Sequence, residues 1–298
     1  MPQRLIATTF PIDLAGTLFP LCRGAGDPTM RVGQAEAWRA MRTPDGPTTL
    51  HVRSFGFDIK AEAWGPGAEW ALDQAPGMVG ATDDSEGFEP HDDVIAGLWR
   101  EHKGVRITRT AGVMQVLIPT ILEQRVTGAE ARRAYRRMVM ATSGQAPGGA
   151  GLFLPPDPDL MAETPYFTYH PWGVEERRAE AVRAACAQAA RLEAATALPL
   201  DLAKERLGAL PGVGPWTVAE VARMALGDAD AVSVGDYHLP NTVCWALARE
   251  DRGDDGRMLE LLEPYRGHRG RVQRLLEAGN ISAPKYGPRV EIHPIDQL

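Results

Sequence analysis

The stretch that most constrains this chain is Pro211-Gly212-Val213-Gly214-Pro215, through which neither a helix nor a strand can run. The two prolines lack the N–H that either ladder needs, and the two glycines admit positive φ. A tight turn between two elements is what remains. Before it, residues 201–209 carry a helical run with Leu202, Leu207 and Leu210 apolar. After it, Pro215 suits a first helical position, and Val218, Val221, Ala222, Ala225 and Leu226 repeat as one buried helix face. Two helices joined by a hairpin therefore occupy 201–226, and a loop follows over 227–240.

The second helix begins in a glycine-rich turn with unpartnered backbone N–H groups, a ready site for an anion such as phosphate. Gly212 and Gly214 let another backbone come close, so a nucleic-acid backbone fits there without side-chain charge. Ten residues beyond Leu226 stands Asp236, in Val232-Ser233-Val234-Gly235-Asp236. An aspartate between Gly235 and Tyr237 is ordinarily a turn or helix-cap residue.

Leu210-Pro211-Gly212-Val213-Gly214, the helix after it and then Val232 to Asp236 closely resemble the helix-hairpin-helix DNA glycosylase superfamily. The subfamily most similar is the bacterial alkyladenine (3-methyladenine) DNA glycosylases. The strong resemblance spans about residues 199–245 and a weaker one runs from about 90 to the end. It implies that Asp236 is the catalytic carboxylate, stabilising a sugar of oxocarbenium character and activating water. It implies a base pocket containing Trp216, Tyr237 and Tyr265, with cation–π attraction for an alkylated, cationic ring. Glu220 stands where those enzymes carry an aromatic; it either favours a cationic base, bonds an exocyclic amine or points to solvent.

The resemblance also implies DNA contacts from Gly212, Gly214, Trp216, Thr217 and His238, with Gln124 or Arg125 as the wedge that fills the flipped base's place. Plainer structural roles stand beside these: a dipole-complementing Arg125 and a loop-bonded His238. Backbone carbonyls of Leu210 and Val213 are the implied seat of a monovalent cation, sodium or potassium, and no cofactor is required for the chemistry. Bifunctional members carry a Schiff-base lysine at the position of Trp216, and an indole cannot replace an amine nucleophile. A monofunctional enzyme that uses water is expected, releasing alkylated purines such as 3-methyladenine to leave an abasic site. Excision of deaminated or oxidised bases, and lesion binding without catalysis, are the alternatives.

Composition bounds the rest. The 298 residues, 44% of them hydrophobic, suffice for a large core. Cys22, Cys186 and Cys244 lie far apart with no CxxC pair, which excludes a four-cysteine iron–sulfur loop and suggests small buried hydrophobes. No run is long and apolar enough for a membrane span, so a cytoplasmic, nucleoid-associated monomer bound to damaged double-stranded DNA is expected. A net charge of −7 opposes DNA affinity, but Arg266, Arg269, Arg271, Arg274, Lys285 and Arg289 stand against the single acid Glu277. They form either a DNA-facing edge that includes Arg269, or a solvated helix face and basic tail.

Short β-like runs at 31–38, 48–54 and 58–64, turn signals at Asp45-Gly46-Pro47 and Gly65-Pro66-Gly67, and a helix near 69–74 give a small antiparallel domain. An α+β chain follows: an N-terminal domain over 1–90 and a helical, two-lobed domain over 91–298, parted by the acidic segment 80–93. Helices are expected at 94–101, 111–126 despite Pro119, and from the capping box Thr127-Gly128-Ala129-Glu130 to about 142. One long helix should cover 174–196, with Arg177, Arg178 and Arg183 outward, and three more 240–249, 257–262 and 270–278. The aromatic run 164–172 either packs as core or lends the pocket a residue such as Trp172.

Overall fold

The computed structural model describes residues 2–284. An antiparallel sheet opens the chain, from β1 (Gln3–Ala7), β2 (Met30–Val32), β3 (Glu36–Thr43), β4 (Gly46–Phe55) and β5 (Asp58–Trp64), in the order β1-β5-β4-β3-β2. Alternation explains the three long strands. Ala37, Met41, Leu50, Val52, Ile59 and Ala61 turn inward, while Glu36, Arg53 and Lys60 lie on the other face. Gly46, at φ 117°, makes the β3–β4 turn. The β-like run at 31–38 proves to be two strands parted at Gly33, whose N–H bonds back to Glu36. β1 was not legible, because Ile6 is its only buried residue and no alternation marks it.

Helices follow in chain order: α1 (Leu14–Leu18), α2 (Ala68–Met78), α3 (Asp93–Glu101), α4 (Val113–Leu122), α5 (Gly128–Thr142), α6 (Pro158–Glu163) and α7 (Tyr166–Tyr169). Then come α8 (Glu176–Cys186), α9 (Ala189–Glu193), α10 (Leu200–Gly208), α11 (Pro215–Val221), α12 (Leu239–Ala248), α13 (Asp255–Leu262) and α14 (Arg269–Ala278). Every residue of α4 except Gln115 is buried, as its apolar sequence demands. α5 starts on the expected box: Thr127 accepts from the Glu130 N–H, and Glu130 from the Thr127 N–H. Among the described residues no helix is long and apolar enough to cross a membrane.

The expected single helix over 174–196 is broken into α8, α9 and a 3-10 turn, Ala194–Ala197. The break lets Glu193 accept the N–H groups of Val113 and Met114 at 2.8 and 2.9 Å, capping α4. Burial drives the Glu193 carboxyl upward in pKa against those two bonds. Arg178, read as outward, is 2% exposed. Its Nη1 donates to the Leu122 carbonyl at 2.8 Å and so closes the other end of α4.

Two cores result. The larger joins the sheet and α2 to α4, α5, α8 and α11, from Ile6 to Ala231. The smaller takes Phe88, Ile95 and Leu98 from around α3 and joins them to Val243, Met258, Val272 and Leu276 of α12, α13 and α14. Arg271 and Arg274 are buried in ion pairs and take no part in a free basic edge, which corrects that expectation for these two. Arg271 binds Asp83 through two nitrogens at 2.7 and 2.8 Å, with side chains 2% and 3% exposed. Arg266 pairs with Glu263, Arg269 with Asp230 and Arg274 with Glu277. Lys285 and Arg289 lie outside the described residues.

A buried ion pair that loses one partner leaves an uncompensated charge, at a cost of about 3–5 kcal/mol. Arg271→Met is therefore expected to lower stability by about that much, read as a fall in the midpoint of urea unfolding at unchanged slope.

Candidate functional site

The hairpin forms as its residues require. α10 ends at Gly208, Leu210 accepts from the Val213 N–H at 3.1 Å, and Gly212 adopts φ 80°. Val213 is buried while Gly212, Gly214 and Pro215 are exposed, so the turn plugs into the core and shows its backbone outside. α11 continues into a π turn, Ala222–Leu226, which ends at Gly227 in the left-handed region. Single π turns inside helices recur at functional sites.

A brace joins this hairpin to the turn after α4. The Gln124 amide donates to the Gly212 carbonyl and to the Thr217 hydroxyl, both at 2.9 Å. The neighbouring Arg125 is exposed and holds φ 56°, a conformation uncommon for an arginine. Of the two wedge candidates, Gln124 is thus tied to the hairpin, and Arg125 stands in solvent. Thr217 is 1% exposed, so its side chain serves the brace.

Asp236 sits at the entry to α12. Its Oδ1 accepts from the backbone N–H of His238 at 2.7 Å and of Leu239 at 2.8 Å. Its Oδ2 accepts from the indole Nε1 of Trp216 at 3.1 Å. Loop and hairpin, twenty residues apart in sequence, are thereby joined at one carboxylate. The loop is fixed from behind as well. The Asp236 N–H donates to the Ser233 carbonyl, and the Gly235 N–H lies 3.1 Å from both carboxylate oxygens of Asp255. Asp255 went unnoticed in the sequence; its signal is a carboxylate in the first turn of a helix.

The other expected site residues divide into two groups. Tyr237 is 81% exposed and meets the ring of His238 edge-on, with centroids 4.8 Å apart. Both stand beside Asp236 at the start of α12. Trp172 and Tyr265, by contrast, are interior: Trp172 packs edge-on against Tyr169, and Tyr265 belongs to the second core. The Tyr265 hydroxyl donates to Asp92 at 2.7 Å, and burial together with that bond pushes the phenol well above its usual range. Glu220 faces inward, accepting from Arg223 at 2.8 Å and from the Ser233 hydroxyl. Arg269 is half-buried on Asp230.

Positive charge that the sequence reading overlooked lies on α5. Arg132, Arg133 and Arg136 are exposed, close in sequence to Arg125, and Arg125, Arg132 and Arg133 make no ion pair among the described residues. Four arginines at 132, 133, 136 and 137 with the single acid Glu130 were the available signal. Among the described residues no group of three or more His, Cys, Asp or Glu side chains is placed to hold a metal ion.

No protein-family model matches the sequence, and no curated protein does. Solved structures do resemble it. A 3-methyladenine DNA glycosylase from Archaeoglobus fulgidus superposes with a TM-score of 0.75 at 16% identity, over 93% of this chain and 98% of its own. The apo form of an 8-oxoguanine glycosylase/lyase from Clostridium acetobutylicum gives 0.71 at 12% identity, over 93% and 96%. A 3-methyladenine DNA glycosylase from Schizosaccharomyces pombe, in complex with abasic DNA, gives 0.53 at 16% identity, over 66% and 96%. The chain has the α+β fold of these DNA glycosylases.

A Cβ added at Gly212 would lie 2.8 Å from the Ala181 Cβ, at a backbone φ of 80°. Gly212→Ala is expected to destabilise by at least the left-handed penalty of about 1–2 kcal/mol. Thermal unfolding measures it, with faster amide exchange along 210–217 as the local sign.

Proposed function

We propose that this chain is a monofunctional DNA glycosylase that extrudes an alkylated purine such as 3-methyladenine from duplex DNA and hydrolyses its N-glycosidic bond. The observation that carries this reading is the Asp236 carboxylate, bonded to Trp216 of the hairpin and set beside the exposed Tyr237 and His238. Breaking the bond between C1′ and the base nitrogen leaves positive charge on the sugar and returns an electron pair to the base. A fixed anion lowers the energy of that charge most where its donors are already organised. Asp236 is used in this way: its three N–H partners spare a lone pair on Oδ2 for the reacting sugar or for a water. The water oxygen bonds to C1′, and its proton passes to the carboxylate or to solvent.

A ring alkylated on nitrogen is cationic and leaves as a neutral base, so the chemistry asks little general-acid help. The task shifts to flipping and holding. Flipping costs a few kcal/mol and least at a damaged pair. Arg125, at the tip of its turn, is the proposed wedge, because a guanidinium stacks on bases and bonds phosphate at once. Arg132 and Arg133 on α5 are proposed phosphate contacts, with the exposed backbone at Gly212 and Gly214 gripping the same strand. Trp216 and Tyr237 are the proposed aromatic walls for the cationic base. Carbonyls at Leu210 and Val213, hard and uncharged donors at the turn, suit a monovalent cation; one would rigidify the hairpin without entering the reaction. Trp216 offers no amine, so strand cleavage through a Schiff base is not proposed.

One observation favours a second substrate class. The 8-oxoguanine glycosylase/lyase of Clostridium acetobutylicum shares this fold, so excision of oxidised bases is the alternative reading. Single-turnover release from duplexes holding 3-methyladenine, 7-methylguanine, 1,N6-ethenoadenine, hypoxanthine or 8-oxoguanine separates the two. Release of methylated purines is expected, and Asp236→Asn should slow it by about a hundredfold or more while DNA affinity holds. No release from any duplex, with tight lesion binding, would make the chain a sensor. Arg132→Ala should weaken binding to all sequences alike and flatten the salt dependence by about one unit of slope, measured by titration at several ionic strengths.

A further inference from the structure

Every polar atom of Ser233 is engaged, although the residue is 1% exposed and lies three positions before Asp236. Its N–H donates to the Gln273 side-chain oxygen at 3.2 Å, and its carbonyl accepts from the Asp236 N–H at 3.1 Å. Its hydroxyl accepts from Gln273 Nε2 at 3.1 Å and donates to Glu220 Oε1. That same Glu220 oxygen accepts from Arg223 Nη2 at 2.8 Å, and Arg223 Nη1 reaches Glu277 at 3.1 Å. Gln273 Nε2 closes the ring on Glu277 at 2.9 Å. Three elements meet in this network: α11 with its π turn, α14, and the loop that carries Asp236.

We propose that Glu220 is a positioning residue, whose carboxylate latches Ser233 and so fixes the loop on which Asp236 stands. The proposal rests on the reading of Asp236 as the catalytic anion. Glu220 stands on the second hairpin helix, one turn beyond Trp216, which holds the other side of Asp236. The hairpin thus grips the loop at two points: Trp216 on the carboxylate itself, and Glu220 on the Ser233 hydroxyl three residues earlier. Arg223 neutralises Glu220 in place, and the Glu220 side chain is 14% exposed. A carboxylate so placed acts through the loop and not on the base. Displacement of a reacting group by about 1 Å can cost a hundredfold in rate, which sets the scale of the effect.

A positioning role and a base contact make opposite predictions across substrates. If Glu220 acts through Asp236, Glu220→Ala lowers the single-turnover rate by one common factor, toward about a hundredfold, for every base released. Lesion-DNA affinity stays unchanged. Ser233→Ala does the same, the double variant is no slower than either single one, and Glu220→Gln, which keeps an acceptor oxygen, restores part of the rate. A change in the ratio of rates between lesions, or additive losses in the double variant, would overturn the latch in favour of a base contact. Amide hydrogen exchange decides the matter even if no duplex is cleaved. The Asp236 N–H should be protected in the wild-type chain and exchange faster in Ser233→Ala and Glu220→Ala; equal protection in all three sinks the proposal. Absence of base release by the wild type refutes the glycosylase reading alone.

Discussion

Three N–H groups converge on one carboxylate, and the arrangement around the candidate site depends on that convergence. Two of them belong to the first turn of α12, where orphan donors and the helix dipole both favour a negative charge. The third is the indole of Trp216, which brings in the hairpin. Asp236 therefore braces the start of α12 with the same carboxylate that is proposed for the chemistry. The structural and the chemical reading of such an aspartate are not rivals here. In the proposed reaction these same bonds hold the carboxylate rigid, so that it stabilises a developing charge without reorganisation.

Electrostatics shows a division of labour among the arginines. Arg178, Arg223, Arg271 and Arg274 are spent inside, on helix carbonyls and carboxylates that would otherwise be orphaned. Each buried charge is costly alone and tolerable when its donors are used. Among the cations left outward for a polyanion are Arg125, Arg132, Arg133 and Arg136, on α5 and the turn before it, in a chain of net charge −7. A surface of that kind gains affinity from a few phosphate contacts and from backbone donors, and repels nucleic acid elsewhere. Local charge decides the outcome, and the sum does not.

Much of this was legible in residues 201–241, because glycine and proline punctuate backbone geometry directly and the apolar spacing of Val218, Val221 and Leu226 marks a face. The capping box at Thr127 was readable for the same local reason. Long-range choices were not. Arg178 sits on a helix whose spacing suggests an outward charge, yet it turns in because α4 ends against it. The break after Cys186 answers to Glu193 and the far end of α4, which no pattern near 187 reveals. Trp172 and Tyr265 carry pocket-like chemistry in sequence, but whether an aromatic faces a ligand or a core depends on elements tens to hundreds of residues away. Composition of the 266–289 stretch likewise hid that Arg269 and Arg271 have acidic partners elsewhere in the chain.

The two cores interleave along the chain. The larger is not closed until the hairpin helix is made, while the smaller begins with Phe88 and waits for Leu276. Arg271 meets Asp83 across 188 positions, so this buried pair cannot form until α14 has been synthesised. A nascent chain released from the ribosome's exit only to about residue 230 holds a sheet and a nearly finished first lobe, with α3 offering Ile95 and Leu98 to nothing. Closing so long a loop costs little more in entropy than a loop half its length, but it comes last. The lobe that contributes α12, and with it the amides that bond Asp236, is therefore assembled only after α14 has been made, and a product cut short before α14 lacks the packing that holds those amides in place.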